Sequence, residues 1–68
     1  IMAEMTVKRT DNGVLYNIRT YNVYDGPVRI AVVRFNVDND ALDTVRGGAD
    51  LVAVRRVIKE LSAPKGGL

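Results

Sequence analysis

The chain has 68 residues, with ten Lys and Arg against eight Asp and Glu, and no Cys, His or Trp. This length allows one small domain, and the composition excludes disulfides, thiolate or imidazole metal sites and His-based acid–base chemistry. The formal charge of +2 is far from a polybasic tail, and no apolar run reaches the ~18–20 residues of a membrane-crossing helix.

A chain of this size buries only ~60% of its unfolded surface. Small folds usually add a disulfide, a metal or a second chain, and here only the second chain remains. The composition therefore predicts a homodimer or a tightly held partner. No signal-peptide pattern and no Asn-x-Ser/Thr sequon occurs, and with the lack of Cys this fits a cytoplasmic protein.

Two turn signals open the chain. Asn12-Gly13 and Asp25-Gly26 supply the positive φ that two-residue hairpin turns require. Their flanks are rich in Val, Ile, Tyr, Thr and Phe, which favour strands. Strands are predicted at about 4–11, 14–24 and 27–38, as an antiparallel meander. Pro27 is tolerated because it stands at a strand start. An Asn12-Gly13 turn pairs Val7 with Ile18, and an Asp25-Gly26 turn pairs Thr20 with Ala31 and Ile18 with Val33. Alternation then gathers Met5, Val7, Val14, Tyr16, Ile18, Ala31, Val33, Phe35 and Val37 on a core face. The opposite face is mixed. It carries Tyr21, Val23, Val28, Ile30 and Val32 toward one end, and Lys8, Asn17, Arg19 and Arg34 toward the other. Such an apolar cluster predicts a cover over part of that face.

The tail from Ala41 to Leu61 reads as helical, with Asp38-Asn39-Asp40 as a capping segment. One straight helix does not fit, because Leu42, Val45 and Ala49 fall opposite Leu51, Val54, Ile58 and Leu61. Gly47-Gly48 lies between the two sets, so a short helix at about 40–46 and a main helix at about 49–62 are predicted. Residues 63–68 are predicted to fray. The fold class is α+β: a three-stranded antiparallel meander and a helical segment broken at Gly-Gly, arranged βββα.

Catalysis finds little to use. The one Ser, Ser62, lies at a helix end, and no nucleophile–base pair can be drawn. Asp38, Asp40 and Asp43 lack the spacing of a calcium loop and read as helix-start acids. Arg46-Gly47-Gly48-Ala49-Asp50 lacks the rest of a phosphate loop and reads as a helix break. Arg55-Arg56-x-x-Lys59 reads as a solvated helix face. The chain is therefore expected to be non-enzymatic, without catalytic or metal-binding residues and without a cofactor. The mixed sheet face is the candidate site. Bases could stack on Tyr21, with Tyr24 near the turn, while Lys8, Arg19, Arg34 and Asn17 hold the backbone of a single strand. Alternatively, Val23, Val28, Ile30 and Val32 would form a dimer or partner interface, as in a phage- or mobile-element-type inhibitor or adaptor.

The stretch Gly13-Val14-Leu15-Tyr16-Asn17-Ile18-Arg19-Thr20-Tyr21 resembles the central strand of the PC4-like single-stranded-DNA-binding coactivators. In that family an Ile-Arg-x-Tyr stretch follows a Gly-bearing turn, and strands precede a C-terminal helix. The resemblance covers about nine residues and the order of elements. It implies a dimer that binds single-stranded DNA, with Arg19 and Tyr21 as the residues concerned.

Overall fold

Pro27 decides the second turn. A turn centred on Asp25-Gly26 would close with an N–H donated by residue 27, and proline has none. In the computed structural model, which describes residues 4–62, the turn is Gly26-Pro27 and Asp25 pairs with Val28. Gly26 takes φ 60°, as the first residue of a primed hairpin turn requires.

The strands are β1 (Met5–Arg9), β2 (Ile18–Asp25), β3 (Val28–Asn36) and β4 (Ala41–Gly47), followed by one helix, α1 (Leu51–Ser62). They form an antiparallel sheet in the order β1-β2-β3-β4. The α+β class and the meander hold, and two further expectations are corrected. The segment expected as a helix at 40–46 is the fourth strand. The first hairpin does not close tightly on Asn12-Gly13: Arg9 pairs with Tyr21 and Val7 with Val23, so residues 10–17 form a loop. The expected fraying of 63–68 lies outside the described residues.

Two bulges explain why the sequence pattern misleads. In β3 the pairing passes from Tyr24–Arg29 to Val23–Ala31, leaving Ile30 as the extra residue. An extra residue reverses which faces match across two strands. Tyr21 and Val23 therefore join Ala31, Val33 and Phe35 instead of Ile30 and Val32. In β4 the pairing passes from Arg34–Thr44 to Phe35–Leu42, leaving Asp43 as the extra residue. Leu42 and Val45 thus sit three apart with partners on the same face, Phe35 and Val33. That spacing imitates a helix. Asp38-Asn39-Asp40 form a hairpin turn, in which Asn36 Oδ1 accepts from the N–H groups of Asp38 (2.9 Å) and Asn39 (3.3 Å).

The main helix forms as its pattern predicts. Asp50 caps it: its Oδ1 accepts from Ala53 N and its carbonyl from Val54 N. Val54 and Ile58, one turn apart, are fully buried with Val7, Tyr21, Val23, Ala31, Val33 and Phe35. The helix thus covers one face of the sheet.

Gly47 is tied to the bulge beside it. It has φ 90°, and a Cβ there would lie 2.3 Å from the carbonyl oxygen of Ile30. That carbonyl accepts from Gly48 N at 3.2 Å. Gly48 itself has open space around it. Gly47→Ala is expected to destabilise the fold by ~2–3 kcal/mol, from φ strain plus backbone overlap, whereas Gly48→Ala should stay within ~0.5 kcal/mol. Urea denaturation of both variants measures the difference, and equal effects would contradict the bulge geometry.

The loop 10–17 hangs on Asp11. Its carboxylate accepts from Arg9 Nε (2.9 Å) and Nη2 (3.0 Å), from Gly13 N (2.8 Å) and from Thr20 N (2.9 Å). The Arg9 guanidinium, then the Thr20 N–H, hold the carboxyl well below the usual range. A depressed folded pKa stabilises above the unfolded value of ~3.9, and that contribution fades as the pH falls below it. Asp11→Asn should therefore cost ~1 kcal/mol at pH 7, with the gap to the parent narrowing below about pH 4 in denaturation curves.

Candidate functional site

Cross-strand partners share a face, so the registers define what the helix leaves uncovered. One row holds Thr6, Tyr24 and Arg29; the next Lys8, Asn22, Val32 and Arg46; the next Thr20, Arg34 and Thr44; the last Ile18, Asn36 and Ala41. Lys8, Arg29, Arg34 and Arg46 are exposed, and the remaining side chains of these rows are half-buried apart from the exposed Thr44. No carboxylate stands at any of these paired positions. Lys8 Nζ lies 5.7 Å from the centre of the Tyr24 ring, within cation–π range.

The predicted site residues are divided by this geometry. Lys8 and Arg34 stand on the open face as expected. Asn17 lies just before β2, where its carbonyl accepts from Val37 N at 2.8 Å. Tyr21 is 2% exposed in the core, so its ring is not available for stacking. Arg19 pairs with Phe35 on the helix side, and its Nη1 donates to Ser62 Oγ at 2.9 Å. Both residues singled out by the coactivator resemblance therefore lie under or beside α1. The Ile30 bulge is the reason for both displacements.

The predicted apolar interface is also dispersed. Val23 is in the core, and Ile30 is partly buried and packs against that core. Val28 is exposed beside the Gly26-Pro27 turn, in the row of Met5 and Asp25. Only Val32 of the four stands on the open face. Tyr24, expected near the turn, stands in the end row of that face, and Arg29 and Arg46, missed from the sequence, belong to it as well. Their signal was present as cations alternating with apolar residues in β3 and β4, but a face can be assigned only once both bulges are known.

Two other features border the site. Val14, Leu15 and Tyr16 are 78%, 52% and 83% exposed in the loop 10–17. On the helix, Arg55 Nη2 and Lys59 Nζ both reach Asp40 Oδ2, at 2.8 and 2.9 Å. Hydrogen bonding from Lys59 lowers the Asp40 pKa and keeps it ionised. Two cations of the helix thus share one carboxylate, whereas among the described residues no ion pair engages a cation of the sheet face. Among the described residues no helix is long and apolar enough to cross a membrane.

No family model, curated protein or solved structure matches the chain.

The two tyrosines separate core from face. Tyr21→Ala should cost ~3–5 kcal/mol, the range for emptying a buried aromatic site, while Tyr24→Ala should cost ~1 kcal/mol or less. Thermal denaturation of the two variants tests the assignment, and a reversed order would show that the faces are exchanged.

Proposed function

We propose that the chain is a small, non-enzymatic nucleic-acid-binding module that uses the open sheet face. The observation that supports this reading is one open four-stranded surface with Lys8, Arg29, Arg34 and Arg46 on it, Tyr24 in its end row, and no acid at its paired positions. A polyanion gains from each cation by releasing counterions. Tyr24 offers one ring on which an unpaired base can stack. Asn22, Asn36, Thr6, Thr20 and Thr44 supply donors and acceptors for sugar, phosphate or base edges. One aromatic platform and, among the described residues, no helix on this face favour a single strand over a duplex groove.

The expected behaviour is specific. A short single-stranded oligonucleotide should bind with a log–log salt slope of about −3, from four phosphate contacts at ~0.7 each. Arg34→Gln or Arg46→Gln should flatten the slope by ~0.7 and weaken binding several-fold at low salt. Arg56→Gln, on the helix, should change neither quantity. Fluorescence anisotropy across a salt series measures all three variants. No binding at low ionic strength, or an equal effect from Arg56→Gln, would defeat the proposal.

A protein partner is the second reading. It rests on the exposed Val14-Leu15-Tyr16 loop, which the Asp11 hydrogen bonds hold in place. On that reading Leu15→Asp abolishes a protein complex without touching oligonucleotide affinity.

A further inference from the structure

A half-open cavity lies on the helix-covered side, where α1 ends. It has a volume of about 420 Å³ and is lined by Arg19, Phe35, Val37, Asp40, Lys59 and Ser62. Arg19 and Phe35 are cross-strand partners, so the cavity is separate from the open sheet face.

Its polar groups are unevenly matched. Arg19 spends Nη1 on the Ser62 hydroxyl at 2.9 Å. Its Nε is buried with no hydrogen-bond partner among the described residues. A charged donor left unmet away from water is costly and asks for an acceptor. Ser62 Oγ accepts from Arg19, so its own proton remains available to donate. Lys59 and Arg55 share the single carboxylate of Asp40. Two cations, Arg19 and Lys59, thus line this cavity with one anion, Asp40, which Arg55 also engages from outside it. The carbonyl end of α1 balances part of that excess, but the hydrogen bonds of Arg19 and Lys59 go to Ser62 and Asp40, not to helix carbonyls. Buried Phe35 and partly exposed Val37 supply an apolar wall.

We propose that this cavity binds a small molecule that carries one carboxylate on an apolar body. The carboxylate accepts from Nη2, the terminal nitrogen of Arg19 that Ser62 leaves unused, and its charge offsets a guanidinium whose Nε is unmet. The Lys59 ammonium and the Ser62 hydroxyl contribute further donors. The apolar body lies against Phe35 and Val37. The apolar wall, not charge, separates such a molecule from inorganic phosphate, which has no apolar group to lie against Phe35 and Val37.

Amide NMR titrations of the isotopically labelled full chain test this. Benzoate and isovalerate are the probes; benzamide and inorganic phosphate are the comparisons. Saturable shifts at residues 19, 35, 37, 40, 59 and 62 are expected with both acids, and none with benzamide. Arg19→Gln should weaken binding about ten-fold or more, and Lys59→Gln, at an exposed position, about three-fold. If Arg19→Gln does not fold, Lys59→Gln and the benzamide comparison decide. The proposal is overturned by absent or unsaturable shifts with the acids, by equal shifts with benzamide, by phosphate binding as well as the acids, or by folded variants that bind like the parent.

Discussion

The extra residue at Ile30 is the constraint on which this molecule turns. Without it, Tyr21 and Val23 would align with Val32 and Ile30. With it, they align with Val33 and Ala31 and meet the helix. The displacement is one residue long, yet in a two-residue repeat it exchanges an entire strand face. The bulge also fixes its neighbourhood. It brings the Ile30 carbonyl to Gly48 N and into the space a side chain at position 47 would need. Gly47 is therefore required by β3, although it belongs to β4. The chain then leaves the sheet at once and starts its helix at Leu51.

That exchange also sorts the charges. With Tyr21 and Val23 inward, β2 turns Thr20, Asn22 and Tyr24 outward beside Arg34, Val32 and Arg29. Four of the eight acids stand in connections instead: Asp11 in the first loop, Asp38 and Asp40 in the β3–β4 turn, Asp50 at the helix start. Each of Asp11, Asp40 and Asp50 has a structural partner there. Ion pairs this exposed add little stability, but their placement matters. They engage cations at the rim and, among the described residues, leave those of the sheet face without an ion pair.

How much of this was legible depends on which signals are local. The main helix was readable because Val54 and Ile58 repeat at one turn and Asp50 offers a cap. The core side of β3 was readable because Ala31, Val33 and Phe35 alternate cleanly above the bulge. Val7 was placed correctly for the same reason. The outward β2 face was not, since nothing within β2 marks a bulge in β3. The β4 error has the same source: a skipped Asp43 turns a two-residue repeat into a three-residue one. Pro27 did carry a usable signal, since its missing N–H excludes the turn that Asp25-Gly26 alone suggests. At the site, Lys8 and Arg34 survived because they lie in strands whose facing did not change. Arg19 and Tyr21 moved because theirs did.

The cations of the open face also have a second physical role. A sheet face without a covering layer must keep Ile18, Tyr24 and Val32 half-covered by neighbouring side chains. Long basic side chains do this while their charged heads stay in water. Lys8 reaches over the Tyr24 ring, and Arg46 stands directly across from Val32. The same groups that attract a polyanion therefore shield the apolar side chains beneath them. Truncation to Ala removes both roles together and confuses binding with folding. Gln keeps much of the stem and discards the charge, which isolates the electrostatic part. For an exposed face on a domain of 68 residues, that economy is expected: few side chains are available, so those on the surface must both cover the sheet and meet the ligand.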